Sequence, residues 1–114
     1  MTAKKITWGE ISPHVKRSML GDDHYFEKAI ASGECQAWQF LESDLWMITR
    51  SEGSELVICC IEGAGLNAAA PQIIKAAMGG KFKTIRFHTK RPALGKMLSG
   101  FGFEEFERIY KLEL

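Results

Sequence analysis

A short loop with two glycines is the part of this sequence best suited to contact an anion. It lies in the run IEGAGLNAAAPQII, residues 61–74, between an apolar segment and a helical pattern. Because Gly63, Ala64 and Gly65 carry no bulky side chain, their backbone N–H groups and the start of the next helix can approach a phosphate closely. The run therefore predicts a phosphate-binding loop, with a purely structural tight turn as the alternative.

A long segment without acidic residues follows this loop. The chain of 114 residues has a net charge of +1, yet no Asp or Glu occurs between Gly63 and Phe103. Seven basic residues lie in that segment: Lys75, Lys81, Lys83, Arg86, Lys90, Arg91 and Lys96. They predict a local positive field that concentrates nucleotides, phosphates or nucleic acid. The alternative is that acids from elsewhere in the chain lie opposite these residues and neutralise them.

The peptide HTKRP, residues 88–92, connects a strand-like run to the start of a helical pattern. Thr89 and Arg91, together with the positive end of the helix dipole, are suited to hold a phosphate group. His88 is a candidate base near neutral pH, since an unperturbed imidazole has a pKa of about 6.5, with a plain surface histidine as the alternative. Nucleic acid is the less favoured partner, because the sequence has no recognition-helix motif, no aromatic platform pattern and no high overall charge.

The cysteines and histidines do not follow the spacing of a metal site or a disulfide framework. Cys59 and Cys60 are adjacent, so in a strand they point to opposite faces, and Cys35 leaves an odd number of thiols. The three histidines are scattered along the chain. We expect buried thiols, surface imidazoles and no bound metal.

No segment indicates a membrane span or a second domain. The longest apolar runs, such as residues 56–61, fall far short of the roughly 20 residues needed to cross a bilayer, and the N-terminus lacks the apolar core of a signal peptide. Hydrophobic residues make up 46% of the chain, enough to build a core. We therefore expect one compact domain over residues 1–114, in a soluble and cytoplasmic protein.

The spacing of apolar residues and the positions of Gly, Pro and capping residues predict the elements that would position these residues. The predicted order is a strand at 4–8, helices at 12–20 and 21–33, strands at 35–41, 45–50 and 55–61, a helix ending at 79–80, a strand at 83–89, a helix from 92 and a last strand at 106–114. Ser12 is the expected N-cap of the first helix, with Pro13 at its first position, and Gly33 the expected stop of the second.

The connections predict how the strands pair. ESD and SEGS are short, turn-rich links, so the three middle strands should form an antiparallel meander. LVICCI is apolar on both faces, which is typical of a central strand covered on both sides. The helix after it and the strand KTIRFHT form a crossover unit, so those two strands should be parallel. The last strand should close the sheet, with Phe106, Tyr110, Leu112 and Leu114 on one face.

This order of elements and the tail RPALGKMLSGFGFEEFERIYKLEL resemble the GNAT superfamily of acetyl-CoA-dependent N-acetyltransferases. The order is similar over nearly the whole chain, and the sequence-specific likeness covers about residues 56–106. Members of the family place an Arg/Gln-x-x-Gly-x-Gly/Ala loop between the fourth strand and the crossover helix, where this chain has EGAGLN. The resemblance implies an α/β (α+β) fold with a mixed, mostly antiparallel central sheet and helices on both faces.

The resemblance also implies acetyl-CoA (coenzyme A) as the cofactor. The implied cofactor-binding residues are Ile61, Gly63, Ala64, Gly65, Leu66 and Asn67 for the diphosphate, with Thr89 and Arg91 for the ribose phosphate. The chain departs from the family at Glu62, where relatives have Arg or Gln. A carboxylate beside a diphosphate weakens binding unless it points away.

Catalytic roles follow from the same resemblance. Glu62 lies near the place where related enzymes keep a carboxylate that removes a proton from the substrate amine. The family's usual acid is a tyrosine on the last helix, but counting back from Gly102 and Phe103 puts Leu98 there, and leucine cannot donate a proton. Tyr110 is then the remaining hydroxyl for the leaving thiolate. An exposed carboxylate and a tyrosine on a sheet face are the structural alternatives.

Two functions from different classes remain open. The first is an N-acetyltransferase that transfers acetyl to a small-molecule or protein amine. The second is a non-catalytic interaction or structural protein of the same fold, because the chain is similar in style to short GNAT-like proteins of bacteriophages, some of them virion-associated. A protein partner or a homodimer is compatible with either function, and fold alone does not choose between them.

Overall fold

The computed structural model describes residues 2–89, 92–107 and 109–114. The strands are β1 (Ala3–Ile6), β2 (Cys35–Phe40), β3 (Leu45–Glu52), β4 (Glu55–Gly63) and β5 (Thr84–Phe87). The helices are α1 (Trp8–Ile11), α2 (Lys16–Met19), α3 (Asp23–Ser32), α4 (Leu66–Gly79) and α5 (Pro92–Ser99), with a 3-10 turn at Ser12–His14.

Five strands form one sheet in the order β1-β2-β3-β4-β5. The first four pair antiparallel with their neighbours, and β5 pairs parallel with β4. The predicted meander and the parallel crossover through α4 are therefore confirmed, as is the mixed, mostly antiparallel sheet. Short turn-rich links favour antiparallel neighbours, whereas a parallel neighbour needs a long crossover connection.

Helices cover both faces of this sheet, as the sequence predicted. One core packs α1, α2 and α3 against the sheet and contains Ile6, Ile11, Val15, Met19, Phe26, Ala29, Cys35, Ala37, Ile48 and Cys60. The other packs α4 and α5 and contains Phe40, Leu45, Met47, Ile58, Ile61, Leu66, Ala69, Ile73, Leu94 and Leu98. Strand β4 contributes to both cores, which explains why LVICCI is apolar at consecutive positions. None of the described helices is long and apolar enough to cross a bilayer.

The N-terminal helical region differs from the prediction of one helix over residues 12–20. Helix α1 begins earlier, because Thr7 forms a capping box: its Oγ1 accepts from the Glu10 N–H at 3.3 Å, and the Glu10 carboxylate accepts from the Thr7 N–H at 3.1 Å. Pro13 lies in the 3-10 turn, and Leu20 ends α2 with a φ of 53°. The predicted cap at Ser12 is therefore wrong.

The C-terminal segment also departs from the prediction, because the closing strand is absent. Among the described residues after Phe103, none lies in a helix or strand. Tyr110 is 85% exposed and Leu112 81% exposed. Alternation shows which side chains share a face of an extended chain, but a strand forms only where a neighbouring backbone supplies hydrogen bonds.

Candidate functional site

Strand β4 separates from β5 halfway along its length. The recorded pairing between them runs from Glu55–Thr84 to Ile58–Phe87, while β4 continues to Gly63. On the other side of β4, Ile48 pairs with Cys60 and the next residue of β3 pairs with Ile58, so Cys59 is an extra, bulged residue. A bulge bends its strand and disrupts the ladder locally. In the part of the chain that the structure describes, no strand pairs with the second half of β4 on its β5 side. That half of β4 therefore borders a cleft.

A small, mostly apolar cavity of about 160 Å³ lies at the end of this cleft. It is lined by Leu45, Ile61, Glu62, Gly63, Leu66, Ala93, Leu94 and Met97. The lining residues come from the start of β3, the end of β4, the start of α4 and helix α5. The site is thus built where the predicted glycine loop meets the last helix.

Gly63 is required by the packing of the loop itself. Its φ is 118°, and a Cβ added there would overlap the carbonyl oxygen of Asp44. The next residue, Ala64, donates its N–H to that same oxygen at 2.7 Å. The β2–β3 turn therefore closes against the loop so tightly that only glycine fits, and this structural role exists whether or not a ligand binds.

Gly65 caps α4 in the left-handed conformation, with a φ of 93°. Its carbonyl oxygen accepts from the N–H groups of Ala68 and Ala69 at 3.1 and 3.0 Å. The N–H groups of Leu66 and Asn67 have no hydrogen-bond partner among the described residues, and the first turn of α4 contains no acidic residue. This helix start thus keeps two donors and the positive end of its dipole for an anion.

Beside Gly65, the hydroxyl of Ser43 is buried without a hydrogen-bond partner among the described residues. A Cβ on Gly65 would lie 3.2 Å from the Cβ of Ser43. The start of α4 therefore has a further polar group close by that no described protein atom satisfies.

The carboxylate of Glu62 points away from α4. Its Oε1 accepts from the backbone N–H of Ser18 at 2.6 Å and lies 3.0 Å from the Ser18 hydroxyl, so it binds the start of α2 on the opposite face of the sheet. Its Oε2 has no hydrogen-bond partner among the described residues. The expected conflict between Glu62 and a diphosphate on the loop is consequently avoided by the direction of the side chain.

Two aromatic rings stand beside Glu62. Trp46 is its cross-strand neighbour on β3, and the imidazole of His14 stacks on the Trp46 indole with ring centroids 3.8 Å apart and planes 1° from parallel. His14 is exposed and Trp46 is half-buried. Sequence analysis missed Ser18, Trp46 and His14, because residues far apart in the chain become neighbours only through the pairing of β3 with β4 and the packing of α2.

The remaining predicted residues do not gather at the cavity. His88 and Thr89 are exposed and follow directly after β5. Tyr110 lies on the C-terminal segment, outside the sheet that was expected to position it. Arg91 lies outside the described residues. Leu98, at the position where the GNAT resemblance implied a tyrosine, is 5% exposed and belongs to the core beneath α5.

The thiols are unsuited to nucleophilic chemistry. Burial raises the pKa of Cys59 to about 11 and that of Cys60 to about 12, and it also raises the pKa of Cys35. All three are free cysteines that stay protonated near pH 7. No group of three or more potential metal-ligand side chains occurs among the described residues.

Among the described residues of the basic segment, ion pairs with acids involve Arg86 alone. Arg86 pairs with Glu52 at 2.6 Å and with Glu55 at 2.9 Å, so the acids of the β3–β4 hairpin do lie opposite it. The lysines of this segment that the structure describes form no ion pair with other described residues: Lys75, Lys81, Lys83 and Lys96. A positive field therefore persists around α4, β5 and α5.

Comparison with known proteins finds similarity in fold but none in sequence to a family or a curated protein. No family model matches the chain, and no curated protein matches it. Among solved structures, it is similar to a protein described as a probable acetyltransferase, with a TM-score of 0.64 and 18% identity over 100% of this chain and 98% of the other. A proposed acetyltransferase from Agrobacterium tumefaciens matches with a TM-score of 0.60 and 10% identity over the whole of both chains. Wild-type TTHA1254 from Thermus thermophilus matches with a TM-score of 0.55 and 15% identity over 100% and 97%. The chain therefore shares the mixed α+β fold of these solved structures.

Proposed function

We propose that this protein binds acetyl-CoA and transfers the acetyl group to an amine. The observation that carries this proposal is the start of α4, where two unpaired N–H donors and an acid-free first turn lie at the end of the cleft between β4 and β5. Such a helix start binds phosphate groups, and an open cleft beside a strand offers room for an extended arm.

The residues around the loop fit coenzyme A. The N–H groups of Leu66 and Asn67 would bind the diphosphate, with the Ser43 hydroxyl close enough to Gly65 to contribute a further hydrogen bond. The apolar lining of the cavity, which includes Ile61 and Met97, suits the uncharged arm of the coenzyme. The unpaired lysines would raise the local concentration of this anionic ligand.

Bound acetyl-CoA would supply the acetyl group as an activated thioester. The protein would then mainly position an amine against it and accept the proton that the amine loses as the C–N bond forms and the C–S bond breaks. In this proposal Glu62 accepts the proton through Oε2, since Oε1 is held by Ser18. The stacked rings of His14 and Trp46 would form a wall beside the acceptor.

A second candidate is a non-catalytic protein that keeps the fold and has lost the reaction. Two observations favour it: Glu62 has a structural role in binding α2, and Leu98 is a buried core residue where the family has its proton donor. Such a protein would act as an interaction or structural module, like the short bacteriophage proteins to which the sequence is similar in style. Coenzyme binding separates the two candidates more directly than an activity assay with an unknown acceptor.

The first experiment is calorimetric titration of the protein with acetyl-CoA and with coenzyme A. We expect micromolar binding of both ligands. The variant Asn67→Asp places a carboxylate in the first turn of α4, where it favours the helix but repels a diphosphate, so affinity should fall about tenfold while thermal stability stays equal or rises. Gln72→Glu is the matched control, because it makes the same charge change on an exposed position farther along α4.

The outcomes separate the candidates. Equal losses in both variants would indicate a general charge effect and contradict binding at the helix start. No heat with either ligand, together with no shift in melting temperature, would exclude the acetyltransferase and leave the interaction protein.

A further inference from the structure

Strand β5 forms an open edge of the sheet. It is the last strand in the sheet order and pairs only with β4 among the described residues. Half of its backbone N–H and C=O groups therefore face away from the sheet, and such a row is a template for another strand. The apolar side chains at this edge, Ile85 and Phe87, are only partly buried.

Residues 104–114 have apolar side chains at alternate positions, as a strand with one apolar face would, but their described residues lie in no sheet. Phe106, Tyr110, Leu112 and Leu114 are at positions of one parity, which Arg108 shares in the sequence, and each of the four is at least 81% exposed. The ammonium of Lys111 lies 4.0 Å from the Glu113 carboxylate, a contact between positions i and i+2 that places both on one side of an extended chain. We name residues 104–114 the C-terminal arm.

The arm and the edge have complementary charge. The arm contains four acids and two bases, Glu104, Glu105, Glu107 and Glu113 against Arg108 and Lys111, which gives a net charge of −2. The edge belongs to the acid-free segment, and the lysines that flank β5 on its N-terminal side, Lys81 and Lys83, form no ion pair with described residues. Association of the two is thus favoured by charge as well as by apolar burial.

We propose that the C-terminal arm of one copy pairs as a strand with the β5 edge of a second copy, and that the exchange is reciprocal. The base of the arm is fixed in its own chain, because Phe103 packs on Phe87 edge to face with ring centroids 5.3 Å apart. Beyond that anchor the arm leaves its own sheet with its apolar face uncovered. A second copy presents the same edge, so a twofold arrangement satisfies both arms at once.

The area that such an exchange covers is sufficient for a stable dimer. Four large apolar side chains on each arm bury on the order of 500 Å², so the two arms bury about 1,000 Å², with about as much again on the sheets they cover. The total reaches the range of roughly 1,200–2,000 Å² that is typical of specific interfaces.

Molar mass in solution is the first test. Sedimentation equilibrium over a dilution series should give twice the chain mass of 12.8 kDa. The double variant Tyr110→Asp/Leu112→Asp should give the mass of a single chain, because it places carboxylates on the apolar face of the arm. Lys111→Asp/Glu113→Asp is the matched control: it changes the net charge by the same −2 on the opposite face and should leave the dimer intact.

A single-chain mass for the unaltered protein at every concentration would overturn the proposal. A dimer that survives Tyr110→Asp/Leu112→Asp would overturn it too, since another surface would then hold the copies together. Because the arm lies outside both cores, these variants should keep the far-ultraviolet dichroism of the parent.

A labelling experiment identifies the surface that receives the arm. A nitroxide is attached at pH 7 to a thiol introduced by Lys111→Cys, since the raised pKa of the native thiols keeps them unreactive. This protein, without isotope label, is mixed with unmodified ¹⁵N-labelled protein. Broadening of the ¹⁵N amide signals of Thr84–Phe87 is expected. If these signals broaden only when the nitroxide and the ¹⁵N label are on the same chain, the arm closes on its own sheet. If the signals of other residues broaden in the mixed sample, the proposed edge is overturned. Neither measurement involves coenzyme A.

Discussion

Glu62 shows how one carboxylate can have a structural and a chemical role. One of its oxygens caps the start of α2 through Ser18, which leaves the other for solvent or substrate. The sequence predicted that a carboxylate would stand at the end of the central strand. It did not predict the bond to Ser18, because the two residues lie 44 positions apart and meet only in the folded chain.

Substitutions at Glu62 should separate these two roles. Glu62→Ala removes the acceptor for Ser18 and should lower the free energy of unfolding by roughly 1–2 kcal/mol. Glu62→Gln keeps an oxygen there and should cost less than about 1 kcal/mol, while it lowers the rate of acetyl transfer about a hundredfold or more if Glu62 is the base. The measurements are urea unfolding and release of coenzyme A thiol with a panel of primary amines. Unchanged turnover in Glu62→Gln would restrict Glu62 to the structural role.

The buried thiol of Cys60 should make the fold sensitive to alkali. Burial raises its pKa from 9.0 to about 12, so the unfolded chain loses this proton at a lower pH than the folded one. The stabilisation is complete below pH 9 and is lost as the pH rises toward 12. At about pH 10.5 the loss from this group is about 2 kcal/mol.

The comparison that isolates this effect is between the parent and Cys60→Ala. Urea unfolding of both proteins near neutral pH and near pH 10.5 measures how much stability each loses. The parent should lose more, although the variant starts lower because of the cavity it creates. Equal losses would mean that Cys60 does not cause the alkaline sensitivity.

At the scale of elements, the glycine loop is shaped by the turn opposite it. Gly63→Ala should lower the free energy of unfolding by about 3 kcal/mol or more, because the added Cβ overlaps the Asp44 carbonyl and the φ of 118° is unfavourable for alanine. Gly95→Ala is the control inside α5, where no atom lies within 4 Å of the added Cβ; it should raise stability by about 0.5–1 kcal/mol. Thermal unfolding measures both. A mild effect of Gly63→Ala would show that the loop and the turn can separate.

The elements that the sequence predicted correctly are those with strong local signals. The C-terminal stop of α3 at Gly33, the two short turns of the meander and the start of α5 at Pro92 each depend on a residue with a narrow backbone preference. The first helix was misplaced because Pro13 is equally acceptable in a 3-10 turn, and the Thr7–Glu10 capping box was overlooked. Residues with narrow backbone preferences predict where a helix or strand ends more reliably than they predict how an interrupted helical region is divided.

At the scale of the whole molecule, the sequence predicted the three-strand meander, the parallel crossover pair and the covering of β4 on both faces, but it placed no partner for β1 and expected a closing strand. The short turn-rich links ESD and SEGS and the continuous apolar run of β4 contain that information. The candidate site was predicted only in its contiguous part, the loop at residues 61–67. The aromatic pair beside Glu62 and the cavity wall from α5 depend on packing across long distances in sequence, which no local pattern records.

Strand β5 has one long side toward β4 and the cleft and the other toward the open edge. A partner strand on that edge would restrain the four residues of β5, and β5 ends where the cleft begins. A change in the position or mobility of β5 would then affect both the edge and the cleft. Coenzyme binding and self-association would therefore be thermodynamically linked: each would change the equilibrium constant of the other by the same factor. The apparent dissociation constant of the coenzyme would in that case vary with the concentration of the protein itself.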